Sequence, residues 1–337
     1  MKRSLKILLQ IMALLLMSGG AMIAVSSGKY MDLKQNGSTD GDRYFLADFQ
    51  TRCSNMTDYI NQQVFNLPKV YTLPMDQSPA PMPDPEGFTE DTYKDPTISV
   101  KCWREKMDIS GSVVVANFAE ITIAHPTQLR TAFAGGQFGN TRLFASKIAS
   151  LNNAVVAINA DFYNYRTNGL IIRNGTLYRE KPYGADVLFI DSDGDFVVKS
   201  DRDAFKEGYY KNKKIYQSLS FGPVIVNDGN VITNWHSSFS CGPYGKEPRT
   251  AIGQIGHLHY LVCTVNGRMK NSPGISVANL GKIMADKNCY VAYNLDGGQS
   301  SVLYFHDKIF NVVADGGERT MSDILYFATA IPEDDRS

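Results

Sequence analysis

Three residue pairs, Asn174-Gly175, Asp193-Gly194 and Asp228-Gly229, each stand between short apolar or alternating runs. Pairs of this kind accept the positive φ angles that a tight hairpin needs, so the chain around them is committed to antiparallel strands joined by short turns. Residues 112–117, 119–124, 154–159, 258–265, 289–295, 302–305 and 324–329 share that texture and read as strands. Helical spacing is rarer and is confined, in this half of the chain, to residues 141–151, 203–210 and 276–287. In the last of these Ser276 is placed to cap, and Val277, Leu280, Ile283 and Met284 share one face. Helix followed by strand at 141–159 and at 276–295 sets helices against a sheet. The predicted fold is α+β, built on a large mixed or antiparallel sheet with a few flanking helices.

The N-terminal part has a different texture. Lys2, Arg3 and Lys6 precede an apolar run over residues 7–25, long enough either to serve as a cleavable export signal or to stay as a membrane anchor. Either reading delivers the rest of the chain to the outer face of the membrane. Residues 26–42 are mostly small and polar, as in a stalk, and residues 43–65 have the spacing of a short amphipathic helix. Seven of the fourteen prolines fall between residues 67 and 96, a density that excludes helix or central strand and predicts a linker or extended strap. The expected organisation is therefore a signal or anchor over 1–26, a stalk, helix and linker over 27–96, and a catalytic-sized domain over 97–331.

Lys plus Arg and Asp plus Glu are balanced at 34 each, and no basic stripe interleaved with aromatics occurs, so nucleic acid is not an expected partner. The five cysteines, Cys53, Cys102, Cys241, Cys263 and Cys289, include no C-x-x-C pair, which removes zinc ribbons and dithiol redox motifs. Cys263 and Cys289 lie in apolar runs and read as core thiols, while Cys53 and Cys102 are a candidate bridge.

Chemistry concentrates at two strand ends. The run Cys289 to Leu295 ends in Asp296, followed by Gly297, Gly298, Gln299, Ser300 and Ser301. Two glycines can turn the backbone so that its N–H groups face an anion, and two serines add hydroxyl donors; the plainer alternative is an Asp-Gly turn that satisfies itself. The run Ala154 to Asn159 ends in Asp161 in the same way, before a polar loop that reaches Gly169. Two strand-end acids in one domain are the pair that glycoside cleavage uses. Arg249 opens the segment Arg249-Thr250-Ala251-Ile252-Gly253, and its guanidinium suits a phosphate, with a structural ion pair as the alternative. Arg319, after Glu318 and before the last strand, is of the same type.

Taken in order, Asn159-Ala160-Asp161-Phe162 with Gly169, Arg249 to Gly253, Asn266-Gly267-Arg268 with Gly274, Leu295 to Gly298 with Ser300-Ser301, and Glu318-Arg319 resemble the phosphodiester glycosidase family over about residues 113–331. Gln299 stands where that family more often has a third glycine, and Asn266 replaces the commoner Asp. The resemblance implies hydrolysis of the glycosidic bond of a sugar-1-phosphodiester. Asp161 and Asp296 are then the candidates for nucleophile or general base, and Arg249 with Arg319 would hold the phosphate. Asn159, Gly169, Thr250, Gly297, Gly298, Ser300 and Ser301 would complete the substrate site. Export points to phosphate-linked glycans of the cell envelope or an exopolysaccharide as substrate. No motif requires a cofactor, although acids beside a phosphate could recruit a divalent metal. A phosphodiesterase that breaks the P–O bond and a non-catalytic envelope-polymer binding module are the rival readings.

Other patterns carry less. Asp191-x-Asp193-x-Asp195 begins like an EF-hand loop, but Phe196 and Arg202 stand where Gly and Glu are required. His257-x-His259 lacks a third ligand, and no Gly-x-Ser-x-Gly nucleophile frame occurs.

Overall fold

The structure, a computed structural model, describes residues 69–235 and 244–336. The apolar run at 7–25, the stalk, the helix expected over 43–65, Cys53 and Cys241 lie outside the described residues. The compact unit that carries the site begins at Val70, so the Pro-rich strap belongs to it. Arg130, fully buried, donates to the carbonyls of Pro74, Asp76 and Ser78 and so fastens a segment that has no regular hydrogen-bonding ladder of its own.

The architecture is α+β, with two antiparallel sheets packed face to face. The larger has eight strands, in the spatial order Thr92–Lys94, Ile98–Ile109, Ser112–Ile123, His259–Val265, Arg249–Gly256, Val291–Leu295, Val224–Asn227 and Asn230–Val231. The smaller has five, in the order Lys308–Ile309, Leu303–Phe305, Val156–Asn159, Asp323–Phe327 and Leu129–Phe133. The two-residue alternation of each strand divides its side chains between layers. Val100, Ile121, Ile252, Val262 and Tyr293 from the large sheet meet Val156, Ile158, Leu303, Leu325 and Phe327 from the small one. On the outer face of the large sheet, Val114, Phe118, Leu261 and Cys263 bury the apolar stripe of helix Val277–Asp286, which carries Leu280, Ile283 and Met284. Helix Ala145–Leu151 covers the outer face of the small sheet in the same manner, through Ile148 and Ala149 against Ala157, Ile324 and Tyr326. Both faces of both central sheets are thus covered.

The hairpin pairs act as the sequence predicts at Asn174-Gly175 and Asp228-Gly229, where both residues have positive φ. At Asp193-Gly194 only Gly194 does. There the turn spans four residues, because the Asp191 carboxylate accepts from the N–H groups of Asp193 and Asp195 and stabilises a wider loop. This also accounts for the acids that begin like a calcium loop: they organise a turn. Helix Val277–Asp286 is capped by Ser276, whose hydroxyl accepts from Asn279 N. The two segments expected at 112–117 and 119–124 are one continuous strand, and its partner Ile98–Ile109 joins it through Ser110-Gly111, both at positive φ. Cys102, Cys263 and Cys289 are buried free thiols; Cys53, the partner expected for Cys102, lies outside the described residues. Burial pushes the Cys289 thiol up to about 12, far from the reactive range.

Candidate active site

The two strand-end acids come together, with different surroundings. Strand Val156–Asn159 of the small sheet leads into Asp161, and strand Val291–Leu295 of the large sheet leads into Asp296. Asn159 ties the two sheets at this point. Its amide Nδ2 donates to the backbone carbonyl of Asp296 at 2.7 Å, while its Oδ1 accepts from Thr250 Oγ1 at 2.9 Å and from Val302 N at 3.2 Å. Asn159 and Thr250, both expected at the substrate, are buried cross-links that set where Asp296 stands.

Asp296 is half-buried. Its Oδ1 accepts from Gly297 N at 2.9 Å, and no hydrogen bond to Oδ2 occurs among the described residues. Burial raises its carboxyl above the ordinary value of 3.8. The Ser300 hydroxyl, close by without a well-formed hydrogen bond, the charge of Arg319 and the Gly297 N–H pull it part of the way back. An acid raised by enclosure at a strand end is an arrangement that general-base and nucleophilic carboxylates share.

The turn after Asp296 is a short 3-10 segment, Gly298–Ser300. Three of the N–H groups here are already used: Gly298 N donates to Pro248 O, Ser300 N to Gly297 O and Ser301 N to Gly298 O. The turn also carries two hydroxyls, Ser300 Oγ and Ser301 Oγ, that are buried without a well-formed hydrogen bond. Gly297 is required by close approach, since a Cβ there would lie 2.7 Å from Pro248 O.

Asp161 is fully buried and its carboxylate is saturated. Oδ1 pairs with Arg173 Nη2 at 3.1 Å; Oδ2 pairs with Arg166 Nη2 at 3.0 Å and accepts from Ser220 N at 2.7 Å. Arg173, also fully buried, uses Nε and Nη2 on Asp323 Oδ2 at 3.1 and 2.7 Å, so the sequence Asp323, Arg173, Asp161, Arg166 is a chain of alternating charge. Burial pushes the Asp323 carboxyl up, with Arg173 opposing and the Asp161 charge adding to the rise. An unpaired charge at such depth would cost several kcal/mol, and the alternation removes that cost.

At the open end of this chain Arg166 lies 4.4 Å from the Tyr183 ring centroid and 5.5 Å from that of Phe162. Phe162 itself is left-handed, with φ 35° and ψ 44°, a conformation that costs a bulky residue about 1–3 kcal/mol and is kept where surroundings demand it. Its ring packs on Phe221 and Tyr165. Tyr165 is in turn flanked by Arg142 at 3.7 Å and Arg319 at 5.0 Å. Gly169, at φ +98°, passes beneath: a Cβ there would sit 3.1 Å from both Nε and Nη2 of Arg166. Arg249 is buried, with Nε on Ile275 O and Nη2 on Gly245 O; it anchors the segment whose Pro248 carbonyl holds Gly298. Glu318 accepts from Ser146 N and Oγ and so fixes the start of helix Ala145–Leu151.

Sequence reasoning passed over Arg166, Arg173 and Asp323. The available signal was charge in apolar surroundings: Arg173 closes the run Leu170-Ile171-Ile172, and Asp323 opens the last strand. Among the described residues no group of three His, Cys, Asp or Glu side chains could hold a metal ion. His257 and His259 pair instead with Asp195 and Glu120 at the surface.

Two face-packed antiparallel sheets thus gather an enclosed carboxylate, arginines and aromatics at their strand ends. The chain belongs to the phosphodiester glycosidase family, whose model matches residues 152–328, more than half of its length. It is 28% identical over 263 residues to the SPbeta prophage-derived uncharacterized protein YomE of Bacillus subtilis (strain 168), a match that takes in 74% of this chain and 40% of that protein. The chain thus spans well under half the length of that relative. Among solved structures, it is similar to the catalytic domain of zebrafish N-acetylglucosamine-1-phosphodiester alpha-N-acetylglucosaminidase, auto-inhibited by its pro-peptide. That similarity has a TM-score of 0.58 and 18% identity, over 81% of this chain and 93% of the other. A hypothetical protein from Synechocystis matches with a TM-score of 0.51 and 13% identity, over 68% of this chain and 62% of that one.

Proposed function

We propose that this chain hydrolyses the glycosidic bond between the anomeric carbon of a sugar and a phosphodiester, in a phosphate-linked glycan of the cell envelope or an exopolysaccharide. The observation that carries the reading is the Asp296 carboxylate: half-buried at a strand end, raised above the ordinary value, with Oδ2 unengaged among the described residues and Arg319 beside it. In this reading Asp296 acts at the anomeric carbon, as nucleophile or as base for the attacking water. The leaving phosphate is already a stable anion, so the demand falls on cations that stabilise charge as the C–O bond lengthens. Arg166 and Arg319 supply them, with the Ser300 and Ser301 hydroxyls as further donors. Asp161 orients Arg166, and Arg249, Asn159 and Thr250 position the turn that bears Asp296. Family membership supports the reaction class. The charged and apolar N-terminus supports export, with the membrane as a partner if that segment is retained.

The test is hydrolysis of N-acetylglucosamine-1-phosphoryl methyl diester by the full chain, with free sugar and phosphomonoester assayed separately beside the Asp296→Asn variant. Free sugar from the wild type alone is the expected result. Sugar phosphate as product would transfer the reading to a phosphodiesterase.

A further inference from the structure

Beside the turn Tyr163–Tyr165 the surface opens into a cleft of about 230 Å³, whose lining includes Phe138, Asn140, Tyr163, Asn164, Arg166 and Arg179. Asp296 is not part of its lining. One wall is an ordered aromatic stack: the Phe138 ring lies 4.7 Å from Tyr163 and 5.3 Å from Tyr178, near parallel to both, and Phe133 closes the stack edge-on. Tyr163 Oη both accepts from Gly139 N and donates to Gly139 O, which locks the loop that bears Phe138 and Asn140. The other wall is cationic. Arg179 spends Nη1 on the carbonyls of Tyr163 and Asn168 and has no acid partner among the described residues. Arg166 pairs with Asp161 through Nη2, yet its Nε is buried without a partner on a side chain only 7% exposed. The Oδ1 of Asn164 is likewise buried and unpartnered. Burial and the neighbouring Arg166 charge lower the Arg179 guanidinium, with the Asp161 charge opposing them.

This combination is matched to a sugar: an aromatic face for the ring, an amide oxygen for a hydroxyl, and the Arg179 guanidinium, with Arg166 behind it, for a negative substituent. We infer that the cleft is a second subsite that binds an anionic sugar unit, the neighbour of the unit whose bond is cleaved, through a phosphate or carboxylate on that neighbour. The assignment of the ligand to the same substrate rests on the proposed hydrolysis; the cleft's affinity for anionic sugars does not.

Titration calorimetry of the full chain with glucose 6-phosphate, glucuronate and glucose tests it without any turnover. At least one anionic sugar should bind ten-fold or more tighter than glucose, and which of the two does so identifies phosphate or carboxylate as the substituent. Asn140→Asp adds a negative charge at an exposed lining position and removes no contact, so it should weaken that binding about ten-fold with an unchanged melting temperature; Arg179→Gln should weaken it likewise but with a lowered melting temperature, because the bonds to Tyr163 O and Asn168 O are lost. Equal affinity for all three sugars, or anionic-sugar binding that neither substitution alters, would overturn the inference. In kinetics, Asn140→Asp should raise KM for a head-to-tail dimer of sugar-1-phosphate units and leave the methyl diester unaffected. An equal effect on both substrates would also overturn it.

Discussion

Asn159 donates from its amide to the backbone carbonyl of Asp296 at 2.7 Å, so the end of one sheet positions the acid of the other. The same side chain accepts from Thr250 and Val302. Asn159→Ala removes all three bonds at a buried site, and the unfolding free energy should fall by about 1–3 kcal/mol in a denaturant titration. kcat should fall further than KM rises, because Asp296 is displaced from its working position while the arginines stay in place.

Arg173 separates two buried acids, Asp161 and Asp323. Arg173→Met leaves both carboxylates without their shared cation, and removal of one partner from a buried ionic network costs about 3–5 kcal/mol. Thermal unfolding should show the loss. Arg173→Met combined with Asp323→Leu should be more stable than Arg173→Met alone, since one orphaned charge is then gone; a double variant no better than the single would show that the network is not what stabilises this region.

Gly169→Ala places a methyl group 3.1 Å from Arg166 Nε and Nη2 and requires a positive φ of an alanine. About 1 kcal/mol or more of stability should be lost. The mark of displaced Arg166 would be a raised KM for the diester that rises less steeply with salt than in the wild type, because less of the binding is then electrostatic.

Burial raises the Asp296 carboxyl above 3.8, so the native state holds that proton more tightly than the unfolded chain. Its contribution favours folding at low pH and is lost as pH rises through the raised native value. At neutral pH the enclosed ionised carboxylate therefore costs stability. Asp296→Asn should melt higher than the wild type at pH 7, with the gap closing as pH falls through the raised native value and gone below the ordinary carboxylate value. In the wild type, kcat/KM should decline on the acid side with a midpoint above 3.8, because the reacting form is the ionised one.

Much of the fold was legible because it rests on local chemistry. The turn pairs Asn174-Gly175 and Asp228-Gly229 set antiparallel neighbours, and the stripe from Val277 to Met284 set a helix against a sheet. Ser110-Gly111 was passed over, although it joins the two longest strands, since Ser-Gly is a weaker signal than Asn-Gly. At the site, Asp161 and Asp296 were visible as acids that end apolar runs. Their environments were not: whether a carboxylate is saturated or open depends on Arg166, Arg173 and Ser220, which reach Asp161 from three different segments. Asn159 and Thr250 belong to the same difficulty, as one hydrogen bond across two sheets has no trace in local sequence. The glycines after Asp296 suggested a backbone anion site, yet Gly297 N donates to the Asp296 carboxylate and Gly298 N to Pro248 O.

The central claim is that water attacks carbon rather than phosphorus. Hydrolysis of the sugar-1-phosphoryl methyl diester in heavy-oxygen water, followed by mass analysis of both products, tests it most directly. Attack at carbon puts the label in the free sugar, at its anomeric hydroxyl, with none in the methyl phosphate; label in a phosphate product would contradict it.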